Sequence, residues 1–212
     1  MNDLIIIGAS GFSREIGWVV ERINNANPTW NFLGYLDDDP EKAGQILNGV
    51  PVLGTTDDAK KYPNAYFACA IGASKLRKTV VSRVKAANPQ MKFATLVDPD
   101  VAISPYVEIG EGTIICPGNS ITVNITLGEH VVINMNCTIG HDAVLEDFAS
   151  LYPSVNISGN VHIKSCTEIG TGTQVLQGLT VAENTIVGAS AAVIRDITEP
   201  GTYVGVPARK IK

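Results

Sequence analysis

Residues 133–163 read INMNCTIGHDAVLEDFASLYPSVNISGNVHI. An aliphatic residue returns at every sixth position: Ile133, Ile139, Leu145, Leu151, Ile157 and Ile163. The step runs unbroken from Ile103 through Ile109, Ile115, Ile121 and Leu127, then on through Ile169, Val175, Val181 and Val187 to Val193. All sixteen positions carry Ile, Leu or Val. Chance alone would produce this on the order of 10⁻⁸ of the time in a chosen frame. The residues four further on are mostly small or β-branched, among them Thr113, Val131, Cys137, Ala143, Ala149 and Val155. A six-residue period is neither helical nor that of one long strand. It is the hexapeptide signature of a left-handed parallel β-helix.

In such a fold three hexads close one triangular coil, and residues eighteen apart lie one above another, ~4.8 Å apart like neighbouring strands. The end coils need covers for their backbone edges. The N-terminal segment is expected to cover one end and the tail after Val193 the other. Because the frame never breaks, no loop leaves the coil. A large binding surface must come from the N-terminal segment or from another subunit. Flat-sided prisms packed side by side close naturally as a trimer.

The first ninety-odd residues follow a different rule. Leu4–Ile7 reads as a buried strand, and Gly8-Ala9-Ser10-Gly11-Phe12 follows it. Helical spacing comes next at Ile16, Val19, Val20 and Ile23, ending at Asn27-Pro28. Phe32–Leu36 and Ala65–Ile71 read as further strands, Val50–Leu53 as a short one, Thr56–Tyr62 as a short helix and Phe93–Val97 as a last strand. A second helix carries Leu76, Val80, Val81 and Val84. Alternating strand and helix implies a parallel sheet with crossover helices. The expected architecture is therefore α/β plus all-β: a short Rossmann-like domain over 1–97 and a β-helix domain with its tail over 98–212.

Ligands of parallel sheets bind at the carboxyl ends of the strands. Three loops gather there: Gly8–Phe12, Asp37-Asp38 and Gly72–Ser74. Glycine lets backbone approach a ligand, and a following helix points free N–H groups at it. The first loop lacks the third glycine of the dinucleotide fingerprint, so a tight turn without a ligand is the alternative reading, and NAD is disfavoured because no second catalytic α/β domain follows. Asp37 and Asp38 suit a ribose or a base, or a plain solvated turn before Pro40.

Net charge −5 and the scattered basic residues disfavour nucleic acid or an anionic membrane as main partner. The run Leu4–Ile7 is too short for a signal peptide or a membrane span. Cys69, Cys116, Cys137 and Cys166 form no CxxC pair and read as free thiols in a reducing cytosol.

The three histidines occupy different places in the frame. His130 lies three past Leu127, His141 two past Ile139 and His162 five past Ile157. They cannot converge within one subunit, so no metal is expected; a site built between subunits is the remaining alternative. His141 stands at an outward corner in Ile139-Gly140-His141-Asp142, and Gly159 lies one coil on. That glycine leaves room beside the imidazole and a backbone N–H to face a ligand. Asp142 could orient the ring and raise its basicity.

Ile7–Glu15, Tyr35-Leu36-Asp37-Asp38, Ala70-Ile71-Gly72, Ile133-Asn134, Ile139–Asp142, Ile157–Val161 and Val204–Lys210, in that order and spacing, cover nearly the whole chain. Together they resemble the bacterial sugar acyltransferases with a short Rossmann-like domain and a left-handed β-helix. That group includes sialic acid O-acetyltransferases and N-acetyltransferases of nucleotide-linked 4-amino-6-deoxy sugars. The resemblance implies a cytoplasmic, acetyl-CoA-dependent homotrimer working in cell-surface polysaccharide biosynthesis, without a metal and without membrane insertion. It implies His141 as general base and Asp142 as its acidic neighbour. It places Gly159, Ser150, Thr171, Ala189 and Lys210 on acetyl-CoA. It places Ser10, Gly11, Phe12, Asp37, Asp38, Gly72, Arg77 and Asn134 on the nucleotide sugar.

Two departures stand out. Ser150 replaces a second histidine that some members carry, and Phe12 replaces histidine or glycine. Lys164 replaces the usual glycine of its hexad and has no functional account. The intact N-terminal loops favour N-acetylation of a nucleotide-linked amino sugar over O-acetylation of sialic acid. A non-catalytic scaffold and a γ-carbonic-anhydrase-like zinc enzyme are the readings from other classes.

Overall fold

The computed structural model describes all residues, Met1–Lys212. The N-terminal sheet has six strands: β1 (Asn2–Ile7), β2 (Trp30–Leu36), β3 (Ile46–Leu47), β4 (Val50–Gly54), β5 (Tyr66–Cys69) and β6 (Lys92–Phe93). Their order is β3-β4-β2-β1-β5-β6, parallel except for the β3–β4 hairpin. Helices α1 (Gly11–Ala26) and α2 (Ser74–Ala87) are the crossovers. β1 is central, and Leu4–Ile7 are fully buried, as a continuous apolar run requires when both faces of a sheet are covered. Thr56–Lys61 forms a 3₁₀ turn.

The predicted strand Phe93–Val97 divides in two. Lys92–Phe93 closes the first sheet, whereas β7 (Leu96–Val97) pairs with Ile114–Ile115 and begins the coil. The division follows from the hydrogen bonds: the Phe93 N–H is held by the Glu111 carboxylate, and the Leu96 N–H donates to the Thr113 carbonyl.

From β7 onward the chain winds through three sheets. Sheet I contains Val132–Ile133, sheet II Thr138–Ile139 and sheet III Val144–Leu145. As far as Gln174–Val175, every rung pairs in parallel with the one eighteen residues on, as in Ile121↔Ile139↔Ile157↔Val175↔Val193. Those five side chains are at most 2% exposed. Each corner turns through a residue with positive φ, three past the aliphatic: Gly112, Gly118, Asn124, His130, Asn136, Asp142 and onward to Ser190. Left-handed backbone costs roughly 1–2 kcal/mol in most residues and least in Gly, Asn and Asp, which accounts for much of that column.

The tail covers the far end as expected. Ile197 bridges to Val181, and Thr202–Val204 extends sheet I beyond Ile186–Val187. The N-terminal domain does not cover the near end; Pro105 and Tyr106 of the first coil are exposed. It packs instead on the flat outer face of sheet I, where Ile114 and Val132 share a core with Leu4, Ala68 and Ala70. Outward-facing aliphatics on this sheet give the domain an apolar wall to bury.

Arg77 fixes that joint and is a correction to its expected role in substrate binding. Its residue is 1% exposed. Nε donates to the His130 carbonyl, Nη1 to Ile71 and Gly72, and Nη2 to Phe148, Ala149 and the Ser150 hydroxyl. All five N–H donors of a guanidinium are thereby engaged. Truncating it leaves several buried carbonyls unpaired. Arg77→Ala should cost about 3 kcal/mol or more in urea denaturation, read as a lower midpoint.

His130 lies in the same joint, fully buried, edge-on to Phe93 and stacked on Phe148. Neither ring nitrogen has a partner. Burial, with Lys85 and Arg77 nearby, pushes its pKa from 6.5 down to about 4. The unfolded chain therefore binds a proton before the folded one does. Stability should be full above pH 6.5 and fall by up to about 3 kcal/mol as pH drops through 6.5 to 4. His130→Asn, which tolerates the positive φ, should flatten that part of a pH–stability profile.

Candidate active site

His141 sits on the edge between sheets II and III, two-thirds exposed at its side chain. Its Nδ1 is 2.8 Å from an Asp142 carboxylate oxygen. That contact makes Nδ1 the proton-bearing nitrogen of the neutral ring and leaves the Nε2 lone pair free. The other Asp142 oxygen accepts from the Asn124 amide one coil below, at 3.3 Å. The hydrogen bond from His141, and then that from Asn124, hold the Asp142 carboxyl below the usual carboxylate range.

The ring lies over Gly159. A Cβ there would stand 2.6 Å from both Nε2 and Cε1. The space expected beside the imidazole is thus filled by the imidazole itself. Gly140 is needed for the same stacking, because a Cβ on it would meet the Gly159 nitrogen at 2.6 Å. The Gly159 N–H donates to no group in the chain. A proton acceptor and an unengaged backbone donor therefore sit together on one edge.

A second set of expected residues lies on a different edge, between sheets I and II. Asn134 is there, with its Oδ1 accepting from the Met135 N–H at 2.7 Å. Thr171 and Ala189 are exposed on the same edge, eighteen residues apart. Asn134 and His141 are seven positions apart, and sheet II lies between their edges, on the order of 15–20 Å across by chain length. One chain does not bring the two sets together. Ser150 joins neither and is a correction to its expected place on acetyl-CoA. It is 2% exposed beneath the N-terminal domain, donating to the Gly72 carbonyl and accepting from Arg77. Lys210 lies in the tail strand, its ammonium 3.0 Å from Glu199.

The N-terminal loops form the walls of two cavities that meet at Gly72. One, of about 330 Å³, is lined by Gly8, Ser10, Asp37, Asp38, Thr56 and Leu76 among others. Asp37 accepts from the Ala9 N–H at 2.6 Å and from Lys42, so it holds the glycine loop in place. Asp38 accepts from Thr56 and pairs with Arg83. The other cavity, of about 380 Å³, lies between α1 and the coil, lined by Gly11, Phe12, Glu15, Asn134 and Tyr152 among others. Sequence reasoning missed Glu15, Tyr152, Met135 and Pro153. The last three occupy corner positions that the hexad frame could have flagged. No cluster of three or more His, Cys, Asp or Glu side chains converges anywhere in the chain.

A family model described as the PglD N-terminal domain matches residues 3–84. GDP-perosamine N-acetyltransferase of Escherichia coli O157:H7 is 29% identical over 84% of this chain and 80% of its own length. The acetyltransferase domain of PglB from Neisseria gonorrhoeae, solved with acetyl coenzyme A, superposes with TM-score 0.88 at 29% identity, covering all of both chains. PerB from Caulobacter crescentus, solved with CoA and GDP-perosamine, gives 0.87 at 26% identity, over 100% of this chain and 98% of that one.

Over its whole length the chain is similar to acetyltransferases built on hexapeptide repeats. Within this acyltransferase a Cβ at Gly159 would collide with the His141 ring. Gly159→Ala should displace the His141 ring and lower turnover by about tenfold or more, a loss equal to at least ~1.4 kcal/mol of barrier. The circular-dichroism spectrum and melting temperature should stay close to those of the parent.

Proposed function

We propose that this acyltransferase moves the acetyl group of acetyl-CoA to the amine of a nucleotide-linked 4-amino-6-deoxy sugar, with His141 as general base. The observation that carries this reading is the His141 imidazole, bonded through Nδ1 to Asp142 and lying over Gly159, whose N–H is unengaged. Relatives named for GDP-perosamine acetylation, or solved with CoA ligands, support it.

Neutral His141 accepts a proton through Nε2 as the amine attacks the thioester carbonyl. The Gly159 N–H donates to the oxyanion that develops. The C–S bond then breaks, and protonated His141 returns its proton to the departing thiolate, giving the N-acetyl sugar and free CoA. Asp142 keeps the ring in the productive tautomer.

The N-terminal domain holds the nucleotide sugar against the coil, and the coil holds the donor. Ser10, Gly11, Asp37, Asp38 and Gly72 take the nucleotide, with Phe12 and Asn134 beside the sugar. The two separated edges are reconciled by a second copy. In a cyclic trimer the II–III edge of one prism meets the I–II edge of the next. His141 and Gly159 then face the neighbour's Asn134, Thr171 and Ala189 across a groove of small, exposed residues suited to an extended pantetheine arm. Lys210 lies at the far end, where a basic side chain can meet the nucleotide phosphates of CoA. We place the reaction in the cytoplasm, in the assembly of cell-surface polysaccharide.

Two measurements test the assignment. Radiolabel from acetyl-CoA should pass to the amine of one member of a panel of UDP-, dTDP- and GDP-linked 4-amino-6-deoxy sugars. Transfer only to a sugar hydroxyl would overturn the choice of acceptor. With that substrate, His141→Ala should lower kcat by about 10²–10⁴; full activity would remove His141 from the mechanism.

A further inference from the structure

The cavity between α1 and the coil has one ionised side chain on its wall, Glu15. Glu15 is exposed and belongs to no ion pair. The neighbouring Arg14 lines a different cavity, with Trp18 and Tyr35. Arg14 Nη2 also comes within 3.8 Å of a Cβ position on Gly11, and the Glu168 carboxylate lies behind the cavity wall, 3.1 Å from the Tyr152 hydroxyl; the phenol and thiol nearest Glu15 are neutral. Burial, with Glu168, pushes the Tyr152 phenol up to about 12, and burial pushes the Cys116 thiol up to about 12. The Ser150 and Tyr152 hydroxyls are already bonded to Gly72 and Glu168.

This cavity shares Gly72 as a wall with the one lined by the glycine loop, Asp37 and Asp38. A nucleotide in that second cavity would send its attached hexose past Gly72, against Phe12, Glu15 and Asn134. A neutral sugar needs only the amide of Asn134 and the apolar wall. A lone carboxylate adds an advantage for a cation, since an ion pair with hydrogen bonding is stronger than a hydrogen bond to a neutral hydroxyl.

We propose that Glu15 is a specificity-determining residue that selects an acceptor bearing an ammonium group over its hydroxyl counterpart. This rests on the reading of the chain as a nucleotide-sugar acyltransferase. Glu15 makes and breaks no covalent bond. The bound ammonium loses a proton to bulk water before it attacks, so the pairing acts on capture of the acceptor and not on the chemical step. Glu15 therefore governs KM more than kcat.

Calorimetry with UDP-, dTDP- and GDP-linked 4-amino-6-deoxyhexoses, each beside its 4-hydroxy counterpart, tests this. The parent protein should bind the preferred amino sugar about tenfold more tightly than the hydroxy sugar, the usual worth of a charge-assisted hydrogen bond. The preference should fade as pH rises and the amine loses its proton. Glu15→Gln should abolish both the preference and its pH dependence, raise KM by a similar factor, and leave kcat and the affinity for the nucleoside diphosphate alone unchanged. Discrimination retained in the Gln variant would overturn the assignment, as would equal weakening of the nucleoside diphosphate. If the parent binds no nucleotide sugar at all, the acceptor reading fails and the role of Glu15 fails with it.

Discussion

Everything in this molecule depends on the parallel pairing of each rung with the one eighteen residues on. The register Ile121↔Ile139↔Ile157 buries one column of aliphatics, and the same offset fixes what stands on the edges. His141 lies over Gly159 because 141 and 159 share a corner. Asn124 reaches Asp142 for the same reason. A single-residue insertion would turn aliphatics outward in every coil after it, so the edges are held as firmly as the core. The first corner residue must also be small where coils approach closely, as Gly140 shows.

The N-terminal domain depends on the coil in turn. It rests on the outer face of sheet I, pinned by Arg77 and by the pairing of Ser74 with Glu168. That placement creates the cavity shared by Phe12, Glu15 and Asn134. A domain covering the end of the prism would have left the glycine loop remote from any coil edge. The division of labour proposed above, with acceptor on one element and donor on the other, follows from this lateral docking.

The coil was legible from its period alone, and the stacking of His141 on Gly159 was computable by adding eighteen. The parallel sheet was legible from its buried runs and the helical spacing between them. Lateral docking was not, because Ile114 and Val132 face outward yet look like ordinary core residues in a list. Arg77 was misplaced for a related reason. A lone arginine four residues into a helix gives no sign that its fork will meet carbonyls from Ile71 to Ala149. Ser150 suffered likewise, since resemblance assigns a position and burial decides whether its hydroxyl is free. The left-handed corners left a trace that counting could have found: Asn124, Asn136, Asp142, Asn160 and Asn184 share one phase of the frame. His130 and Phe148 occupy the same phase and are held there by the domain packed over them.

The separation of the two edges is the strongest constraint on function. An imidazole on the II–III edge and an acceptor cavity at the I–II edge of the same chain serve one reaction only if copies share sites. The direct test is complementation between two inactive variants. His141→Ala removes the proposed base, and Thr171→Arg blocks the proposed groove on the other edge. Unfolded and refolded together at equal amounts, they should recover about a quarter of parent activity. Random cyclic trimers are mixed three times in four, and each mixed trimer holds one intact site of three. No recovery above the two variants alone, in a preparation shown to contain mixed trimers, would contradict the shared site and the account built on it.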